Sequence, residues 1–396
     1  MSALVFMRWG FGNALAVQAE LPEQAETGIR WSPADPEAHF AAAVLRERSF
    51  FPEDTFLALE HLERAVSLAP NNYLIWLELG SARDRAGEPA SAEAAYRRAL
   101  LLAPAYAKIQ WALGNNLLRQ GRTDEAFRLI GSAAAGDETY LRPAVAVAWN
   151  VFGGDVSTIR ELLGKNAEVR IQLILQLANA ERLDEAVDLW KQAGFQESSE
   201  EVRKAGQQLL AALIGSGRFR DALYVRNSLD ARTVAVIGKV LNGGFEENIE
   251  PESTDVFGWR LAPGSAPQVI RTDGDRSGGT YSLAFVFGSG SSDFRTLVQT
   301  VAVEPGIEYM FSVRYRAEIE TQAELKWTVT AVKDSKLLAS TDVFLSGGEW
   351  RTAEAKVAIP GDVDGVEIAF TRAGCAGVSC AVRGILWMDD VVLYTP

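Results

Sequence analysis

Between Pro36 and Leu229 the apolar positions recur with helical spacing, and beyond about Val236 they alternate with polar ones. Helical spacing puts apolar side chains in one stripe, and alternation puts them on one face of a strand. The chain therefore predicts a helical part followed by a β part. Within the helical part, small and turn-forming residues return at a step of 34 positions: Ala58, Ala92 and Ala126; Ala65, Ala99 and Ala133; Pro70 and Pro104; Gly80 and Gly114. A fixed period of this size predicts stacked helix hairpins, each burying a face that its neighbour completes. Arrays of this kind usually hold another molecule and seldom perform chemistry.

The clearest unit runs from Tyr73 to Tyr106. Gly80 and Ala92 are small enough for two helices to approach, Trp76 and Tyr96 are expected to fill the space beside them, and Pro104 ends the unit because it cannot continue a helix interior. Gly87 and Gly121 fall where each hairpin turn needs an unusual backbone angle. These positions resemble the signature of the tetratricopeptide repeat, over 73–106 most fully and over 39–72 and 107–140 well. Arg83 departs from it, standing where the repeat usually has an aromatic residue. Past Tyr140 the period decays, yet 141–165, 169–193 and 207–227 still read as helix pairs, for five or six hairpins in all. The resemblance implies a concave groove for a protein or peptide, lined by Leu74, Leu77, Ser81, Asp84 and Arg85 and, one unit later, by Lys108, Trp111, Asn115, Leu118 and Arg119. Trp111 occupies a place where repeats that clamp a peptide C-terminal carboxylate usually carry a lysine, so that mode is disfavoured.

In the last 155 or so residues, strands are expected at 281–287, 297–303, 309–316, 324–332, 355–359, 366–370 and 386–394, separated by turns such as Glu304-Pro305-Gly306. Seven or eight short strands predict a β-sandwich. The order Asn242-Gly243-Gly244-Phe245-Glu246, Gly258-Trp259, Gly279-Thr280-Tyr281, Gln299-Thr300-Val301, Gly348-Glu349-Trp350 and Trp387-Met388-Asp389-Asp390 resembles the galactose-binding-like jelly roll of many carbohydrate-binding modules. The fold class expected is therefore multidomain α + β: a tetratricopeptide-like solenoid over 36–235 and a sandwich over 236–396, preceded by an N-terminal segment, 1–35. The jelly-roll resemblance implies a structural Ca²⁺ held by Glu246 and by Asp389 or Asp390; hydrogen bonding to a turn is the competing use of Asp389.

Sugars are gripped by aromatic rings framed by polar forks. Alternation places Trp327 in the core with Leu325, Val329 and Ala331, and the fold generally uses Trp350 and Trp387 for packing. What remains is the other face of the 309–316 strand, with Arg314 and Arg316, expected to join Lys326, Thr328 and Thr330 of the next strand in one cationic surface. That surface would suit an acidic polysaccharide, or it is simply a solvated face. Cys375 and Cys380 lie in one glycine-bearing loop at a spacing within disulfide reach, so a disulfide in an oxidising compartment is expected, with two free thiols as the alternative.

The net charge of −13 over 396 residues disfavours a nucleic-acid partner. No catalytic constellation is visible: the two histidines, His39 and His61, both lie in the first repeat. Asp389 and Asp390, as strand neighbours, are expected on opposite faces, which disfavours a glycosidase pair. The apolar stretch 3–17 is shorter than the ~20 residues of a membrane span; it reads either as a targeting or anchoring segment, the one route to a membrane, or as an ordinary packed helix. Taken together, the sequence points to a non-catalytic adaptor that docks a protein on the solenoid and a glycan on the sandwich. An extracytoplasmic, cell-envelope setting follows from the pairing of domains. A scaffold without sugar affinity is the main alternative, and a glycan-processing enzyme a remote one.

Overall fold

The computed structural model describes residues 2–48, 52–195, 199–230, 232–250, 253–288, 294–373 and 381–396. Two compact units are present, 1–173 and 174–396, with the division falling inside one helix, α11 (Ala167–Asn179). Cys375 and Cys380 lie outside the described residues.

The first unit is built of antiparallel helix hairpins: α1 (Ser2–Val17) and α2 (Pro22–Trp31), α3 (Pro36–Glu47) and α4 (Pro52–Leu68), α5 (Tyr73–Arg85) and α6 (Pro89–Leu102), α7 (Ala107–Arg119) and α8 (Thr123–Gly136), then α9 (Leu141–Val151) and α10 (Val156–Leu163). The 34-residue step is the hairpin repeat. Ala58, Ala65, Ala92, Ala99, Ala126 and Ala133 are all buried at the seams, and Gly87 and Gly121 turn the chain with φ of 79° and 77°. Gly80 lies against the ring of Tyr96, where a Cβ would come within 2.5 Å of it. Trp76 is half-buried, and its indole N–H donates to the Pro70 carbonyl at 2.9 Å; one period later Gln110 donates to the Pro104 carbonyl at 2.8 Å. Both side chains thus tie a first helix to the proline turn before it. Arg83, the departure from the repeat pattern, bonds the Ser91 carbonyl and pairs with Glu63 at 2.9 Å, replacing aromatic packing with an inter-hairpin link.

The 3–17 stretch forms a helix packed into this unit. Gly12 and Gly28 let the α1 and α2 backbones touch, since a Cβ at Gly28 would sit 2.6 Å from the Gly12 carbonyl. Asn13 donates to Asp35 at 2.8 Å, while Asp35 itself caps α3. Among the described residues no helix is long and apolar enough to cross a membrane.

The second unit holds α12 (Leu183–Ala193), α13 (Glu200–Gly215), α14 (Phe219–Leu229) and a two-layer sandwich. Its strands are β1 (Arg260–Leu261), β2 (Gln268–Thr272), β3 (Ser282–Phe287), β4 (Leu297–Ala302), β5 (Glu308–Thr321), β6 (Glu324–Ala331), β7 (Leu337–Ser340), β8 (Gly347–Ala358), β9 (Gly365–Ala373) and β10 (Val382–Tyr394). One sheet has the order β1-β4-β9-β6-β7 and the other β2-β3-β10-β5-β8, antiparallel throughout. Between them lie Trp327, Phe245, Phe285, Phe311 and Phe370, all fully buried. The strands that alternation did not reveal, β1, β2 and β7, are edges, where one side lacks a neighbour and the burial pattern is weak.

Two expectations fail here. Only Gln322 and Ala323 separate β5 from β6, yet the strands belong to different sheets. Ala323 is buried, and its N–H bonds the Thr321 hydroxyl at 2.9 Å, so the link turns a corner between layers. The side chains of Arg314 and Arg316 therefore emerge on one outer face of the sandwich and Lys326, Thr328 and Thr330 on the other; they form no common surface. Secondly, a bulge interrupts β10 between Asp389 and Val392, with Asp390 at φ 48°. Asp389 and Asp390 consequently turn toward the same glycine, Gly244, instead of facing opposite ways.

The last helix hairpin is bonded to the sandwich. The Asp364 carboxylate accepts the Phe219 N–H at 3.1 Å at the start of α14, and Gly365 leaves room for the Phe219 ring, which a Cβ there would overlap. Arg220 pairs with Glu304 at 2.9 Å, and Arg226, buried, pairs with Asp255 at 2.8 Å.

Candidate functional site

The outer face of the β2-β3-β10-β5-β8 sheet is built from the residues that alternate with the core. On β5 these are Met310, Ser312, Arg314, Arg316 and Glu318, because Phe311, Val313, Tyr315 and Ala317 point inward. Register sets Trp387 of β10 beside Arg316, and Ala284 and Ile270 beyond it on β3 and β2. Ile385 lies next to Glu318 and Val286, and Asp389 next to Arg314. The face thus carries an apolar strip, Ile270 to Trp387, bordered by guanidinium groups.

Trp387 is the aromatic of this strip, and it is only 9% exposed. The Arg316 guanidinium lies over its ring at 5.1 Å, a cation–π geometry. Asp275 and Glu318 hold that guanidinium in place. Trp259 and Trp327 are buried in the core; Trp350, at the start of β8, is half-buried.

The loop between β2 and β3 folds against one end of this face, held by the acids that sequence assigned to calcium. Glu246 accepts the N–H groups of Thr280 and Tyr281 at 2.7 and 3.2 Å. These amides hold its carboxyl below the ordinary range. Asp389 accepts from Ser277 at 2.8 Å, Gly278 at 3.0 Å and Asp390 at 2.8 Å, yet burial outweighs these bonds and raises its carboxyl above the ordinary value. Glu246, Asp389 and Asp390 lie around one loop, with Glu246 and Asp389 bonded to its amides. Among the described residues no group of three acidic, histidine or cysteine side chains is spaced to hold a metal ion, and Glu246 and Asp389 turn carboxylate oxygens to loop amides, the competing use named for Asp389.

On the solenoid, the groove residues divide. Leu77 is a correction: it is 1% exposed and packs with Tyr96, Ile109 and Leu113 in the seam, because its helix turns that position toward the next hairpin. Ser81 accepts from Arg85 at 2.9 Å, and Arg85 pairs with Glu47 of α3. Asp84 receives Arg119, Asn116 at 2.7 Å and the Tyr96 hydroxyl at 3.1 Å. Lys108 reaches Glu78 at 3.3 Å. Trp111 stacks obliquely on Tyr140 at 5.3 Å, and Asn115 donates to the Trp111 carbonyl. Most of these polar groups bridge one repeat to the next. Sequence reasoning missed this ladder because each pair lies about one period apart, and a single repeat shows only half of it.

Residues 238–374 match the family model described as a carbohydrate binding domain, which covers the greater part of the sandwich. Among solved structures the chain is similar to "CBM4 structure and function", with 17% identity over 40% of this chain and 99% of that one and a TM-score of 0.30. It is similar also to "Crystal structure of MamA protein" (18% identity, 49% of this chain, 91% of that one, TM-score 0.30). A third is "Structure of TmCBM61 in complex with beta-1,4-galactotriose" (20%, 39% and 96%, TM-score 0.29). No curated protein matches the chain.

Proposed function

We propose that this chain is a non-catalytic adaptor whose sandwich binds a polysaccharide and whose helical repeats dock a protein. The observation that carries the sugar half is the match of residues 238–374 to a carbohydrate binding domain; at the sheet face the exposed Ile270 and the Arg316-covered Trp387 add an apolar patch beside guanidinium forks, the chemistry a sugar ring needs. The protein half rests on the repeat architecture, which presents a long surface made of successive helices. An extracytoplasmic role in organising envelope polysaccharide is the setting we favour, on the pairing of the two parts alone. The test is titration of the full chain with soluble polysaccharides. Ile270→Asp, at a position 48% exposed, should weaken binding several-fold without lowering the melting temperature. Binding unchanged by this substitution would move the site off this face.

One observation favours a second reading, that of a scaffold with no sugar affinity. Trp387 is covered by Arg316 and only 9% exposed, so the ring at the centre of this face is not open to a sugar, and the exposed ring of Tyr394 stands at its far end beside Met310. Under that reading no polysaccharide binds, and a partner protein is captured by the repeats only.

A further inference from the structure

On the candidate face, Arg314 is a half-buried cation that, among the described residues, no carboxylate reaches within ion-pair distance. Its neighbours across the sheet are Asp389 on β10 and Thr352 on β8. Asp389 spends its oxygens on the amides of Ser277, Gly278 and Asp390. Two residues along the strand, Arg316 is pinned between Asp275 and Glu318. On the opposite outer face of the sandwich Lys326 has Glu324 at 3.0 Å and Arg260 has Glu367 at 3.2 Å. Like Arg316 and Arg260, Arg314 has a buried Nε without a partner, but where their other nitrogens are paired, among the described residues no hydrogen bond or ion pair reaches any part of the Arg314 guanidinium.

A guanidinium offers five N–H donors in a flat fork. Taking part of it out of water without acceptors is costly, so such a position is favourable only when an acceptor arrives from outside. Carboxylate and sulfate groups match the fork with two parallel bonds. Resting on the reading of this face as a polysaccharide site, we propose that its ligand is an anionic polysaccharide, with Arg314 holding the acidic group of one sugar residue. The protein's net charge of −13 repels a polyanion at long range. Recognition must then be local, and salt near 0.1 M, with a screening length of about 10 Å, removes much of the repulsion while a partly buried pair persists.

The test uses the full chain in 0.15 M salt, titrated with polygalacturonate and alginate for the carboxylate, dextran sulfate for the sulfate ester, and xylan as a neutral polymer. The expected result is preference for one acidic class. Arg314→Gln should cut that affinity at least about tenfold, the scale of one charge-assisted bond, with the melting temperature held. Lys326→Gln, on the other outer face, should change nothing. Arg314→Lys keeps the charge but not the fork and should lose several-fold. If the glutamine variant does not fold, the lysine variant decides, and undiminished acidic binding in it overturns the proposal. Binding of xylan alone, or acidic binding indifferent to Arg314, would overturn the acidic assignment while leaving the polysaccharide reading intact. A folded chain that binds no glycan of either kind would remove both.

Discussion

At the scale of single residues, the glycines separate into those the packing requires and those it does not. A Cβ at Gly80 would come 2.5 Å from Tyr96, whose ring fills the seam between α5 and α6, so Gly80→Ala should destabilise the repeats by about 1–3 kcal/mol, the usual cost of overpacking a tight site. Gly10, within α1, has open space where a methyl would stand, with nothing within 4 Å, and Gly10→Ala should stabilise by up to about 1 kcal/mol through helix propensity. Thermal denaturation of the two variants checks both signs at once. Gly80 was legible in the sequence because its role is written into the period. Leu77 was not: a leucine on the first helix of a repeat looks the same whether it faces the groove or the next hairpin, and only the crossing of α5 with α6 and α7 decides it.

At the scale of elements, one network is sensitive to pH and another is expected to be insensitive to chelator. His39 and His61 join α3 to α4 through their Nδ1 atoms at 3.1 Å; His39 Nε2 lies 3.2 Å from the Pro33 carbonyl, and His61 Nε2 2.8 Å from Glu26. Arg46 adds bonds to Glu26 and Asp54, and Arg64 also acts on His39. One proton fits between the Nδ1 atoms, and a second, added on His39, would set N–H against N–H. Burial holds His39 below the ordinary imidazole value of 6.5. The unfolded chain then takes up this proton first, so its contribution to stability is complete above 6.5 and is lost as the pH falls from there through the folded value. The melting temperature should drop between pH 7.5 and 5.5, and His39→Gln should flatten that drop; an unaltered slope would contradict the network. The loop after β2 should be indifferent to chelator, because Glu246 and Asp389 hold it through amides. A fall in melting temperature on adding EGTA would return calcium to the site. Sequence could not show the bulge at Asp390, since a bulge leaves alternation intact on both sides of one extra residue.

At the scale of the whole molecule, the helical and β parts were legible because their periods differ. The crossing of the chain from β5 to β6 was not, since two residues between strands look like a hairpin whether or not they change layer. The bonds of α14 to Asp364, Glu304 and Asp255 also bear on how the protein can be divided. A fragment beginning at Ser199 should melt well above one beginning at Val236, which strips Phe219 from Gly365 and leaves those acids unpaired; equal melting would show that the hairpin contributes little. Whether the outer face of the β2-β3-β10-β5-β8 sheet is the sugar site is tested most directly by hydrogen–deuterium exchange of the full chain with and without the polysaccharide that binds best. The account predicts protection of the 273–281 loop and of the β5 and β10 segments around Arg314 and Trp387, with the helices of 73–136 unchanged. Protection confined to the repeats, or none with any polysaccharide, would contradict it.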